Sequence, residues 1–241
     1  MTMDTAIAII PARFGSTRFP GKPVVEIAGK TLIEHVYRRV EKAGLVNRIV
    51  VATDDARIAR AVERFGGEAV MTRSDHTSGT DRLAEVADRL PADALVVNVQ
   101  GDEPLIEPSA IDQAVIAALR GDAEMVTLMT RLDPSERNDP NRVKVVAGRN
   151  GLALYFSRAP IPSEGTCFLH LGLYVYRVNF LKKFAKLERT PLEIAERLEQ
   201  LRALEHGYRI RVVEVESESW GIDTAADLKK FETRLGKERN G

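Results

Sequence analysis

A chain of 241 residues with 35 basic and 35 acidic side chains has no net charge, so it carries no global positive field to hold nucleic acid, and any anion site must be local. One cysteine, Cys167, excludes an internal disulfide and a multi-cysteine zinc site, and no apolar run reaches the length of a membrane span. With 44% hydrophobic and 29% charged residues, the composition suits one large domain, or one domain carrying a lobe.

The first apolar run, Ala6 to Ile10, reads as a buried strand. It is too short for a secretory signal and ends at Pro11 and Arg13, so a cytoplasmic location is expected. The loop 11–23 that follows holds three cations, Arg13, Arg18 and Lys22, and no acid. Gly15 and Gly21 allow tight turns, and Ser16 and Thr17 add hydroxyl donors. A strand, a glycine-bearing basic loop and then a helix is an arrangement that holds phosphate, through backbone N–H groups and converging cations. The alternative is a solvated surface loop that happens to be basic. Its position after the first strand favours the anion site, because open α/β sheets bind ligands at strand ends.

Thr31 and Glu34 form a capping-box pattern for a helix carrying Leu32, Ile33, Val36, Tyr37 and Val40. Residues 48–53 read as a strand, a helix with Ile58, Val62 and Phe65 follows, and 68–71 reads as a third strand. The polar loop 72–82 contains Arg73, His76, Ser78, Thr80 and Asp81, and leads into a helix with Leu83, Val86 and Leu90. Its hydroxyls suit a base or ribose edge, and an ordinary capped loop explains it equally well. Residues 94–99 give the strongest strand signal, an apolar run suited to the centre of a parallel sheet. It ends in Gln100, Gly101 and Asp102. A carboxylate at the edge expected to hold phosphates needs a bridging cation, for which Mg²⁺ is suited. The alternative is a helix cap, a role for which Ser109 is better spaced. A helix with Ile111 and Val115 and the strand 125–130 complete an alternation that implies βαβ units.

The rhythm then changes. Residues 132–142, rich in Asp, Pro and Asn, read as a loop, 143–146 and 153–156 as a hairpin, and 168–177 as a further strand. An antiparallel lobe packed on the parallel sheet is expected. Residues 191–206 read as one helix, 209–216 as a strand and 224–235 as a terminal helix. Asp223 is most simply an N-cap for that helix, with Thr224 as its rival. Arg158, between a strand and Pro160, suits a bidentate grip on a carboxylate. His170, within an apolar strand, reads as a hydrogen-bonded core residue, and Cys167 as a structural thiol.

The run from Ile10 to Pro23 resembles the opening of the sugar-activating nucleotidyltransferases. With segments 71–82, 97–104, 143–146, 153–158, 170–174, 198–202 and 221–224, it is similar in particular to the CMP-Kdo synthetases, the 3-deoxy-manno-octulosonate cytidylyltransferases. The resemblance implies a Rossmann-like, mostly parallel α/β sheet flanked by helices, with a small antiparallel β lobe. That is the nucleotide-diphospho-sugar transferase type. On that pattern residues 1–131 form a CTP-binding core, 132–190 an antiparallel lobe that dimerises the chain, and 191–241 a return to the core.

The implied reaction joins CTP to the sugar acid Kdo, giving CMP-Kdo for lipopolysaccharide synthesis and releasing diphosphate, with Mg²⁺ as cofactor. The partners implied are these two substrates and a second copy of the chain, with no nucleic acid and no membrane. By resemblance Arg13, Lys22, Asp102 and Asp223 are catalytic, and Asp102 and Asp223 hold the metal. Ala12, Arg13, Ser16 and Lys22 meet the triphosphate end of CTP, and Arg73 and Ser78 face its cytidine. Gln100, Arg158, His170, Tyr174, Glu199 and Gln200 line the sugar pocket. Three departures lie on the sugar side: a short segment between Pro162 and His170, Val175 where glycine is usual, and Ala226 where Glu is common. They leave a related acid, such as 8-amino-3,8-dideoxy-octulosonate, as the alternative substrate. A nicotinamide-dependent oxidoreductase is the competing class, and the first loop lacks the Gly-x-Gly-x-x-Gly that class requires.

Overall fold

The computed structural model describes residues 6–15, 19–217, 221–222 and 224–239. Strand β1 (Ala6–Ala12) is apolar on both faces and leads, through the basic loop and one 3₁₀ turn (Lys22–Val24), into a short ribbon of β2 (Glu26–Ile27) and β3 (Lys30–Thr31). Helix α1 (Leu32–Val40) starts where the Thr31 hydroxyl accepts the Glu34 N–H at 3.3 Å. The alternation continues as β4 (Val46–Thr53), α2 (Ala56–Arg64), β5 (Glu68–Met71), α3 (Gly79–Ala87), β6 (Leu95–Asn98), α4 (Pro108–Leu119) and β7 (Met125–Arg131). The hairpin is β8 (Lys144–Ala147) and β9 (Ala153–Ser157), and β10 (Phe168–Arg177) follows. The chain ends in α5 (Val178–Phe184), α6 (Pro191–Glu196), α7 (Gln200–Glu205), β11 (Ile210–Glu214) and α8 (Ala225–Arg239).

The main sheet runs β11-β7-β10-β6-β1-β4-β5. Pairs β1/β4, β1/β6, β4/β5 and β7/β11 are parallel, and β10 lies antiparallel between β6 and β7. Alternation along the strands supplies two apolar layers. Ile10, Val51, Val97 and Val175 face α1, α2 and α4 through Ile33, Val36, Ile58, Ile111 and Val115. Ile9, Val50, Val96 and Tyr176 face α3, α5 and α7 through Leu83, Val86, Leu181, Phe184 and Leu201. Burial of each such aliphatic side chain stabilises the fold by roughly 1.5–3 kcal/mol. A third cluster of Ile27, Leu32, Leu105, Ile222 and Phe231 fastens α8 beside the basic loop and the turn after β6.

Three expectations change. The small antiparallel lobe is present as the β8–β9 hairpin, but its third strand is not confined to it. Its long strand β10 belongs to the centre of the sheet, and only its first residues reach out to pair with β8, at Phe168 with Val145 and Leu169 with Lys144. The single helix expected over 191–206 is two. Arg197 adopts a left-handed conformation (φ 56°, ψ 45°), and Leu198 N–H reaches back to Glu193 O at 3.3 Å. The break turns the buried Glu193 carboxylate onto the buried Arg202 guanidinium, at 2.8 and 2.7 Å. Finally, Ser109 does not cap α4. Its first residue is Pro108, which needs no N–H partner, and Glu107 precedes it without capping the helix, its carboxylate accepting instead from Arg39 Nη2 at 3.1 Å.

Candidate active site

One side of the site is built from the ends of β1, β5 and β6. The basic loop closes on itself through Gly21 N–H and Phe14 O at 2.9 Å. Gly21 needs its positive φ of 73°, and a Cβ there would lie 3.0 Å from the Phe14 ring. The Arg57 guanidinium lies over that ring, 3.3 Å from its centroid, as a cation–π contact. Lys22 then reaches across: its Nζ donates to Asp102 Oδ2 at 2.7 Å and to Ile222 O at 2.8 Å. Ile222 N–H donates in turn to Asp102 O at 2.9 Å. At Gly101 a Cβ would stand 2.9 Å from Pro11 O, so glycine is what lets the β1 and β6 ends pass this closely.

These loops enclose a cavity of about 360 Å³, lined among others by Ala12, Arg13, Lys22, Ser78, Gln100 and Asp102. Ser78 caps α3, its Oγ accepting Asp81 N–H at 3.1 Å while the Asp81 carboxylate accepts Ser78 N–H at 3.1 Å. The positive end of the α3 dipole therefore opens on the cavity, where it favours an anion. Arg82 also lines it from a buried position, bonded to the Thr72 hydroxyl and 3.2 Å from Asp54. Sequence patterning did not single out Arg82, because its spacing reads as helix surface. Arg73 does not line the cavity: its guanidinium is exposed and grips Asp75.

A second cavity of about 720 Å³ adjoins the first and shares Gln100 and Asp102 with it. His170, Gly172 and Tyr174 line it from one face of β10, across an irregularity in register between Leu171 and Tyr174. Such bulges re-aim side chains beside active sites. Gln100 Nε2 donates to Gly172 O at 3.0 Å. The His170 ring lies 2.9 Å from Thr127 Oγ1 and edge-on to Phe156, and burial pushes its pKa down to about 3, so it is neutral at physiological pH. Burial likewise raises Tyr174, keeping the phenol protonated. Glu199 accepts from Thr80 Oγ1 at 2.6 Å and pairs with Arg202 at 3.2 Å, and burial raises its pKa. Gln200 completes the wall beside it. Glu103, also on this wall, is pushed up to about 8 by burial and by the neighbouring Asp102 charge.

Arg158 stands apart from both cavities. Its Nε donates to Glu196 O and its Nη1 to Pro140 O, each at 2.9 Å, so the grip foreseen for a substrate carboxylate is spent on backbone carbonyls. Ser16 and Asp223 lie outside the described residues. The cap of the terminal helix is made by Thr224 and Asp227, with reciprocal bonds of 2.9 and 3.2 Å. The geometry thus brings Ala12, Arg13, Lys22, Ser78, Gln100, Asp102, His170, Tyr174, Glu199 and Gln200 around two joined cavities, with Lys22 and Asp102 at the junction.

Residues 7–210 match the family model described as cytidylyltransferase. A 3-deoxy-manno-octulosonate cytidylyltransferase of Geobacter metallireducens is 54% identical, over 95% of this chain and 97% of its own length. The one from Solibacter usitatus is 53% identical, over 96% of this chain and 94% of its own. Among solved structures, a CMP:2-keto-3-deoxy-manno-octonic acid synthetase complexed with CTP superimposes with a TM-score of 0.91 at 42% identity, covering 97% of this chain and 99% of that one. A putative glucose-1-phosphate thymidylyltransferase of Bacillus anthracis shares the fold, with a TM-score of 0.68 at 17% identity over 95% of each chain.

Proposed function

The chain belongs to the cytidylyltransferase family, and from that premise we propose that it activates 3-deoxy-D-manno-octulosonate: CTP + Kdo → CMP-Kdo + diphosphate, supplying the sugar donor for lipopolysaccharide synthesis. The observation that carries this reading is the meeting of two polar cavities at Gln100 and Asp102, with Lys22 beside them. One cavity is bordered by cations and a helix N-terminus, as a nucleotide triphosphate requires. The other is lined by hydrogen-bonding groups, as a polyhydroxylated acid requires. The names of the relatives favour Kdo over its 8-amino derivative.

In this reading the anomeric hydroxyl of Kdo attacks the α-phosphorus of CTP in line. The new C–O–P linkage forms as the bond to the β-phosphate oxygen breaks, and diphosphate departs. Arg13 and Lys22 offset the negative charge that grows on the phosphoryl oxygens and the leaving group. The α3 N-terminus, capped by Ser78, holds the nucleotide side. Gln100, His170, Tyr174, Glu199 and Gln200 orient the sugar, with the neutral His170 and protonated Tyr174 acting as hydrogen-bond partners rather than charges.

The chemistry of the donor set fits Mg²⁺. The Asp102 carboxylate is a hard oxygen ligand at the cavity junction, and it already attracts one cation, Lys22, at 2.7 Å. Asp102 would hold the ion with Asp223, the residue after Ile222, whose backbone is tied to Asp102. When bound, the ion supplies neutralisation of the triphosphate charge.

A homodimer is part of the proposal, supported by exposed Leu154 on β9 and exposed Leu192 and Ile194 on α6. These elements are joined by Ser157 Oγ and Glu196 at 2.7 Å. No helix among the described residues is long and apolar enough to cross a membrane, and we assign the reaction to the cytoplasm. The test incubates the protein with CTP, Mg²⁺ and, in turn, Kdo, 8-amino-Kdo and sialic acid, following diphosphate and identifying products by mass spectrometry. Diphosphate and CMP-Kdo are expected only when CTP and Kdo are both present. Diphosphate released equally fast without a sugar acid would overturn the reading.

A further inference from the structure

We propose that Thr80 is a positioning residue for the sugar side of the reaction: its hydroxyl fixes the Glu199 carboxylate and so ties the helix at the nucleotide cavity to the wall of the sugar cavity. This deepens the function proposed above and rests on it. Thr80 belongs to the hydroxyl-rich loop 72–82, whose pattern suits contact with a base or ribose. Its side chain goes elsewhere. Ser78 and Gly79 line the nucleotide cavity, and Thr80 is not on that wall. It is 4% exposed, and its Oγ1 donates to Glu199 Oε2 at 2.6 Å. Helix α3 has no need of that hydroxyl, because the reciprocal bonds of Ser78 and Asp81 already cap it. A small internal cavity brings Thr80 together with Tyr174, Glu199 and Gln200, so the threonine stands behind three residues of the sugar wall.

Glu199 is a residue that needs holding. Its side chain is 31% exposed on the sugar wall, and a glutamate has enough rotamer freedom to turn its oxygens many ways. Two donors restrict it: Thr80 takes Oε2, and Arg202 Nη2 takes Oε1 at 3.2 Å. The arginine is shared, since its Nε and Nη2 also bond Glu193 at 2.8 and 2.7 Å. The threonine bond is the shorter of the two on Glu199. Burial raises the Glu199 pKa, and the foremost contact opposing that rise is the Thr80 hydroxyl, ahead of the Arg202 charge. A carboxylate has about four lone-pair sites, so about two stay open to sugar hydroxyls after these bonds. Ser78 and Thr80 bracket the first turn of α3. One stretch of helical backbone therefore sets both the anion-binding helix end and the direction of those lone pairs.

The test measures initial rates of diphosphate release, varying CTP and Kdo separately, in wild type, Thr80→Val and Thr80→Ser. Valine keeps the shape and removes the hydroxyl, and serine keeps the hydroxyl. In Thr80→Val the KM for Kdo is expected to rise by about 10-fold, the worth of one hydrogen bond to a charged group, while the KM for CTP holds. Thr80→Ser keeps both near wild type. Thr80→Ala, which also lacks the hydroxyl and favours the helix, gives the same split and serves where valine does not fold. In a Glu199→Ala background there is no carboxylate to orient, so Thr80→Val adds nothing further to the KM for Kdo. Unchanged Kdo kinetics in Thr80→Val, equal rises for both substrates, a serine variant as impaired as valine, or the same increment with and without Glu199 would each overturn the proposal. A wild type that makes no CMP-Kdo would overturn the function itself and this inference with it. Thermal melting establishes that the variants compared are folded.

Discussion

Lys22 and Asp102 are linked by a single bond of 2.7 Å, and each balances the other's charge in a partly buried place. Asp102→Asn keeps the shape and removes the charge. Diphosphate release is expected to fall by at least about 10³-fold while the circular dichroism spectrum stays unchanged, because several kcal/mol of charge stabilisation are lost from the reaction and little from the fold. His170 gives a second prediction, about pH. Its imidazole titrates near 6.5 when unfolded and near 3 when folded. Between those values the unfolded chain binds more protons, so stability drops as pH falls below 6.5 and is unaffected above about 7. At pH 5 the loss is about 2 kcal/mol. Urea unfolding at pH 7 and pH 5 should therefore show a smaller acid loss in His170→Gln than in wild type. Equal losses would mean that the ring titrates normally. Lys22 and Asp102 were readable from sequence because each follows a strand and its charge demands a partner. The carbonyl partners of Arg158 were not readable, because spacing cannot tell whether a guanidinium meets a ligand or a pair of backbone carbonyls.

At the scale of elements, two features set the site. The turn after β6 passes so close to β1 that Gly101→Ala brings a Cβ to 2.9 Å from Pro11 O. The loop carrying Asp102 must then shift, and kcat is expected to fall by about 10²-fold, since displacements near an ångström cost that much in positioned sites. Steady-state kinetics checks this. The break between α6 and α7 rests on the buried Glu193–Arg202 pair. Glu193→Gln leaves Arg202 without its full countercharge and should destabilise the protein by about 3 kcal/mol, measured as a lower urea midpoint. Strands β1, β4, β6 and β7 were legible because each is an apolar run between helical periods. The α6/α7 break was not. Its cause is a left-handed Arg197 and a pairing nine residues apart, and a window that counts hydrophobic spacing registers neither. Leu192 and Ile194 added to the error, since both look like core positions and both are exposed.

For the whole molecule, the parallel half of the sheet was predictable from alternation alone, whereas the position of β10 was not. Strand order is decided by which edges meet in three dimensions, and the sequence after Leu132 records only that pairing becomes antiparallel. The exposed Leu154, Leu192 and Ile194 lead to a further prediction: sedimentation should give twice the 26.7 kDa of one chain, and Leu154→Asp should shift the protein toward half that mass. The central location of β10 also bears on how the protein is made. Strand β6 has β1 on one side and β10 on the other, and β7 borders β10 as well. A ribosome synthesises β6 and β7, then the whole β8–β9 hairpin, before it reaches Phe168. Throughout that interval the nascent chain presents two apolar strands, including Val96 and Val97, with unpaired backbone along one border of β6 and along both borders of β7, whose other neighbour, β11, comes later still. Translation must therefore pass through a stage that invites pairing with the wrong chain, and holdase chaperones should bind most strongly to nascent chains stalled in that interval.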